Sequence, residues 1–544
     1  MKTADTAGQD TGAWAQRQPA AGPATVGRTA DSPRRTLLPA LLSCLLVAAG
    51  CARLPPRPVL PVETAITGTV DTALDRRIQP MTAAHPGYSG FRLVSDGPFA
   101  FALRAALVRN AQRSLDLQYY IWHSDVTGRL LAREVLAAAD RGVHVRLLLD
   151  DLDARSRDFW LAAADAHPNI EVRLFNPFAA RRGPLRKIGE MLTAYSRINH
   201  RMHNKNLIAD NRVAISGGRN IGDEYFSASK ESNFTDLDLA VAGPVVTDLS
   251  RTFDRYWNSE AVWPIAALLP DHARPEDLVA LRDGLERHAQ DPEAQRWLAT
   301  LPGNAAVAAF VAGEMPLHWT ERWRVLADDP LKARLGDAAH TRSEVLRGLS
   351  QAMRESNTRV VLISPYFVPG DRGAQSLADL AGSGRSVTVL TNSLAANDVA
   401  AVYSGYARYR TRLLQAGVHA YELKPDPGHA GDVSIAGSSG ASLHSKAVLI
   451  DGDETFVGSF NLDPRSVSLN SEQGVLVTDA ALAEELAAYF QRMTASVHSW
   501  RVDLDARGDT RWTDASGSTT KTPASFGRRT RAAIGRMLPI ESQL

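Results

Sequence analysis

Two short stretches carry the residues best suited to chemistry. His203-Asn204-Lys205 is followed by Asp210, and His444-Ser445-Lys446 is followed by Asp451, so both fit H-x-K-x4-D. With 14 histidines and only eight lysines in 544 residues, one accidental match is expected in roughly one chain in a hundred. Two matches are far rarer, and these lie 241 residues apart. Each is followed by a related loop, Gly217-Gly218-Arg219-Asn220 and Gly458-Ser459-Phe460-Asn461, again 241 residues apart.

Residues i and i+2 of a strand point to one face. Leu207-Ile208-Ala209 and Val448-Leu449-Ile450 mark buried strands, so His203 aims with Lys205 and His444 with Lys446. Asp210 and Asp451 fall on the opposite face if the strand continues, which gives them a supporting role in the site. Two imidazoles can share phosphodiester exchange: one attacks phosphorus, and the other protonates the departing alkoxide and then deprotonates the acceptor. Two lysines, with amide hydrogens from Asn220 and Asn461, neutralise charge on the non-bridging oxygens. This chemistry calls for no metal and no cofactor. The attacking imidazole must be neutral while its partner is protonated, so acidic neighbours should push the two apart. Glu472, 28 residues after His444, is the candidate partner for it. Asp236, at the matching position of the first half, is the counterpart for His203.

The elements that must position these residues follow an α/β pattern from about residue 88. Strand-like 114–122, helical 128–139 and strand-like 143–149 form a βαβ unit. A similar unit recurs at 359–367, 374–382 and 387–391, offset by 244 to 245 residues. The chain is therefore read as an internal duplication: a first domain over 88–264, a helical linker or insert over 265–345, a second domain over 346–502, and a polar tail over 503–544 whose basic end suits an amphipathic helix.

The N-terminus reads as an export signal. Arg34 and Arg35 precede an apolar run, 37–49, which is short for a membrane span. The run ends Ala48-Ala49-Gly50-Cys51, like the lipobox of bacterial lipoproteins, so residues 1–51 are expected to direct acylation at Cys51, with 52–87 as a Pro-rich tether. That predicts a membrane-anchored lipoprotein of the bacterial cell envelope facing the periplasm. Cys44 and Cys51 are the only cysteines, which excludes a disulfide framework or cysteine-bound metal in the body of the protein. A formal net charge of +1 and the scarcity of lysine provide no basic surface to follow a nucleic-acid backbone. Arg181, Arg182, Arg186, Lys187, Arg197 and Arg201, just before the first motif, are candidates to draw the site towards anionic head groups.

The duplicated H-x-K-x4-D with its G-[GS]-x-N loop resembles the phospholipase D superfamily. More narrowly LDLQYYIW, RGVHVRLLLDD, NHRMHNK, GGRNIGDEYF, DLDLAVAGP, SPYFVPG and the GSFNLDPRS loop are similar to bacterial cardiolipin synthases of the C type, over roughly residues 88–500. The resemblance implies two tandem α/β/α domains with mixed sheets about a pseudo-two-fold axis, with the site between them. It also implies His203 as nucleophile, His444 as acid, and transfer of a phosphatidyl group from one phospholipid to phosphatidylglycerol. The expected partners are phospholipids (phosphatidylglycerol and, as a second donor, phosphatidylethanolamine) and a membrane surface. Hydrolysis, exchange with a small amino alcohol, nuclease action and a non-catalytic scaffold are the alternatives.

Overall fold

The computed structural model describes residues 53–544 except 155, 182, 271–273, 302–308, 310–315, 333–342, 398, 426–441 and 537–544. Residues 1–51, expected to be an export signal ending at Cys51, thus lie outside the described residues.

The βαβ unit of the first half forms as its pattern predicts. Strand Ser114–Tyr119 is buried throughout. Helix α1 (Val126–Asp140) starts where the Asp125 carboxylate accepts the Gly128 amide, and it buries Leu130, Leu131, Val135 and Leu136. The chain then turns through Gly142 at φ +92° into strand His144–Asp150. Helix α2 (Asp158–Asp165), strand Ile170–Phe175 and helix α3 (Pro184–Thr193) follow. The burial of charge in the sheet is compensated: Arg146 meets Asp116 at 2.7 Å, and Arg104 meets Asp238 at 2.9 Å.

Strands 114–119, 144–150 and 170–175 run parallel, and the others in this nine-stranded sheet are antiparallel. The second half repeats the arrangement. Strands Arg359–Ile363, Ser386–Asn392 and His419–Leu423 are parallel, flanked by antiparallel Ala447–Ile450, Glu454–Gly458 and Gln473–Thr478. The chain is thus a duplicated α/β fold with two mixed sheets. The halves are not independent bodies, because one apolar core joins Ile208, Leu239 and Val241 of the first sheet to Val361, Leu449 and Val475 of the second.

Three regions differ from their sequence reading. The Pro-rich stretch is no free tether: Arg57 donates to the carbonyls of Val262 and Ser259, and Glu63 accepts from Trp257 Nε1 at 2.7 Å and lies 2.8 Å from His144 Nε2. Residues 73–84 form a helix. Proline content signals extension, and these side chains supply bonds that fix it to the first domain. The insert is helical over Pro275–Ala289 (α4) and Pro292–Thr300 as read from the sequence, but it is no loose linker, since α4 lies against α1 and α2. Strands His318–Thr320 and Trp323–Ala327 then add one edge to each sheet. Strand 499–504, at the end of the second domain, and 510–514 in the tail extend the second sheet, and helix Phe526–Gly535 docks on the second domain through Arg528, which donates to the carbonyls of Leu394 and Asn397. Among the described residues no helix is long and apolar enough to cross a membrane.

Candidate active site

Both motif strands are four buried residues, Asn206–Ala209 and Ala447–Ile450, and each histidine sits just before its strand. A short contact with the other half holds each one. The His203 amide donates to Ser471 O at 2.9 Å beside a parallel bridge between Met202 and Ser471. The His444 amide donates to Thr235 O at 2.8 Å beside the parallel pairing of Ser442–Leu443 with Phe234–Thr235.

The carboxylates are exchanged between halves. His203 Nδ1 lies 3.1 Å from Glu472 Oε1, and His444 Nδ1 lies 2.6 Å from Asp236 Oδ2. Asp236 and Glu472 are the orienting groups picked out in the sequence, but the pairing expected from chain proximity is reversed. The physical reason is that each acid lies just ahead of a strand, Asp238–Ala242 or Gln473–Thr478, that packs against the sheet of the other half. A carboxylate accepting Nδ1–H leaves the lone pair on Nε2, so each imidazole presents Nε2 as a base or nucleophile.

The G-[GS]-x-N loops shape these carboxylates. A Cβ on Gly218 would stand 2.2 Å from Asp236 Oδ1, so the loop must be bare where it passes Asp236. At the equivalent place Ser459 donates its hydroxyl to Glu472 Oε2 at 2.6 Å. Ser466 Oγ donates to Glu472 Oε1 at 2.9 Å, and Asp328, itself paired with buried Lys332 at 2.6 Å, accepts the Glu472 amide.

Lys205 and Lys446 each donate Nζ to the carbonyl of their own motif histidine. Burial pulls the Lys205 ammonium down to about 7, with Lys446 acting in the same sense and Glu472 and Asp236 against it. Burial also lowers both imidazoles, His444 to about 4 with the charges of Lys446 and Lys205 adding to the effect. The motif groups of the two halves therefore act on one another in a single electrostatic field, and burial favours the neutral form of both imidazoles. Burial pushes the Asp236 and Glu472 carboxyls up, but the facing imidazoles and lysines hold them below their ordinary range.

Asp210 and Asp451 stand apart from this centre. The strand ends before each of them and the backbone turns left-handed, φ +51° and +55°. Asp210 accepts the amides of Gln112, Arg113 and Ser114, and Asp451 those of Asn357, Thr358 and Arg359. They fasten the motif hairpin to the neighbouring strand, remote from the imidazoles. Asn220 accepts the Ile121 amide and donates to the Tyr225 hydroxyl at 2.8 Å, so part of its amide is already committed. Asn461 is buried, and its Oδ1 has no donor among the described residues.

Of the basic residues before the first motif, Arg181 is paired with Asp151 and Asp158, Arg197 with Glu190, and Arg201 with Asp150. They brace the loop ahead of His203, which corrects their assignment to head groups. Arg186 and Lys187 lie on α3, and Arg182 is outside the described residues. Sequence reasoning missed the aromatic walls. Tyr120 lies 4.3 Å from the His203 ring and beneath Lys205 Nζ, while Phe234 stacks on His444 and Tyr225 meets it edge-on, both at 5.2 Å. Tyr120 lies within the strand-like run 114–122 read from the sequence, just past the observed strand, and the positions of Tyr225 and Phe234 close after the first loop were the available signal. Outside this centre, His123, Asp125 and Glu224 offer three ligand atoms within 4.8 Å of one another, the one such group among the described residues.

The family model described as "Cardiolipin synthase, PLD-like domain" matches residues 105–257 and 349–494, the two halves of the duplication. Cardiolipin synthase C of Escherichia coli is 42% identical over 85% of this chain and 98% of its own length. Cardiolipin synthase A of Pseudomonas entomophila is 25% identical over 74% of this chain and 67% of its own. Among solved structures, a phosphatidylserine synthase of Haemophilus influenzae superposes with a TM-score of 0.56, covering 84% of this chain and 95% of that one at 13% identity, a likeness of fold. With the match falling on both halves and the relative spanned almost end to end, the chain belongs to the phospholipase D superfamily and is a cardiolipin synthase-like enzyme within it.

Proposed function

We propose that this enzyme makes cardiolipin by transferring a phosphatidyl group to phosphatidylglycerol through a phosphohistidine at His203. The observation that carries the reading is the exchanged pairing: two imidazoles, each with Nδ1 on a carboxylate of the other half. His203 Nε2 attacks phosphorus and His444 gives a proton to the leaving alkoxide. His444 then takes a proton from the acceptor hydroxyl, which displaces His203. Burial is the largest cause that lowers His444, and an anionic phosphodiester beside Lys205 and Lys446 counters the part due to those two charges, so substrate binding favours uptake of a solvent proton by His444. The names of the relatives support phospholipid substrates.

A membrane surface is the proposed setting. Leu185, Ile188, Met191 and Leu192 stand exposed on α3, Leu192 at 76%, next to Arg186 and Lys187. This is an apolar stripe with flanking cations, suited to an anionic bilayer. Acylation at Cys51 in the cell envelope would add a second anchor.

The test is purified enzyme with labelled phosphatidylglycerol, with and without phosphatidylethanolamine, read by lipid mass spectrometry. Cardiolipin that disappears in His203→Ala and His444→Ala is expected. Free phosphatidic acid as sole product would replace the synthase reading with hydrolysis, and amino-alcohol lipids as products would replace it with head-group exchange.

A further inference from the structure

Beside the histidine centre lies a largely apolar cavity of about 170 Å³ between the first sheet and helices α1, α2 and α4, with His123, Asp150, Asp153 and Arg157 among its lining. Leu147 and Leu149 form its floor, Ala132 and Leu161 its sides, and Leu285 and Gly284 its roof. Protein interiors are packed with few voids larger than a water molecule, so a space this size persists for a reason or at a cost. An apolar cavity of about this size accepts a hydrocarbon of roughly benzene size. Tyr120 belongs to both places, since it lines the cavity and its ring packs 4.3 Å from His203. At the far end Trp160 lines the cavity while remaining 41% exposed, in edge-on contact with exposed Phe159. The space therefore runs from the site wall towards an apolar patch on the surface. The roof comes from the segment between the two halves, which a simple duplication would not need.

Building on the proposed function, we infer that this cavity holds the proximal methylenes of an acyl chain of the phosphatidyl group transferred at His203. A chain seated there places its glycerol end at Tyr120 and its phosphate before the two imidazoles. Chain burial then contributes binding energy that a head group alone lacks. Each methylene buried is worth a factor of about four in affinity. Specificity for the transferred lipid should thus climb with chain length and level off once the cavity is full.

Gly284→Leu and Ala132→Leu fill the space. A Cβ at 284 meets nothing nearer than Trp160 at 3.8 Å, and leucine favours a helix interior more than glycine does, so melting temperature should hold or rise. The ratio of kcat/KM for dioleoyl- over dihexanoyl-phosphatidylglycerol should fall at least about tenfold in both variants. Quenching of Trp160 by brominated-chain phosphatidylglycerol, assigned with Trp160→Phe, should vanish in Gly284→Leu. An unchanged ratio with quenching retained in the filled variants overturns the inference. Wild-type enzyme that transfers neither lipid defeats the proposed function instead, and quenching still decides the cavity.

Discussion

Glu472 reaches His203 from the opposite half of the chain, its Oε1 3.1 Å from the imidazole Nδ1, and Asp236 returns the contact to His444 at 2.6 Å. Neither half holds a complete site, because the acid that fixes each histidine's tautomer belongs to its partner. Glu472→Gln and Asp236→Asn keep the shape but remove the charge that stabilises an imidazolium. Each should lower kcat by about two to four orders of magnitude with KM little changed. Initial rates of phosphatidyl transfer check this, and a kcat that survives either substitution would remove the carboxylates from the mechanism.

Gly218 tests the same contact from the loop side. An alanine there would press its Cβ against Asp236 Oδ1, which stands 2.2 Å from that position. Gly218→Ala should therefore reduce kcat nearly as much as Asp236→Asn. Combined, the two should cost little more than the worse single change, since both act through one contact. Additive losses in the double-mutant cycle would mean that the glycine serves something other than the carboxylate.

The repeat made much of this site readable. The His-Lys spacing placed four side chains just ahead of two buried strands, and the offset predicted two sheets of one topology. What the sequence hid was direction. Nothing local distinguishes a Glu472 that turns to its own His444 from one that crosses to His203, because the choice depends on how the inner strands face each other. Tyr120 escaped notice because an aromatic at a strand end is ordinary core in sequence terms. The 275–289 helix has a readable apolar face, but its partner, the space beneath it, leaves no mark on the chain.

Asp210 and Asp451 share a motif with the reacting groups yet fasten backbone. Asp210→Ala strands three strand-start amides and should cost about 2–4 kcal/mol in urea unfolding. The kcat should stay within about threefold of wild type at a temperature where the variant is folded. Although burial works against it, the amides of Thr358, Arg359 and Asn357 bring Asp451 down to about 2, against an ordinary 3.8. Its contribution to stability is complete above about pH 4 and fades as pH falls through 2. Asp451→Asn should remove that part of the acid limb. A large kcat loss in folded Asp210→Ala would instead place this residue in the chemistry.

Lys205 is also shifted down, but here the shift marks the cost of burying its charge rather than a gain from hydrogen bonds. Its folded value is about 7 against an ordinary 10.5, so between those limits the unfolded chain keeps a proton that the folded chain has released. Stability must therefore rise with pH across that window, and Lys205→Met should flatten the rise. Urea midpoints at pH 6.5, 8 and 9.5 for both proteins measure it, and parallel curves would contradict the shift. Activity should run the other way. In the free enzyme kcat/KM falls as Lys205 loses its charge above about pH 7, whereas an anionic lipid in the site restores the proton. The falling limb of kcat should then lie at higher pH than that of kcat/KM, and coincident limbs would show that Lys205 does not meet the phosphate.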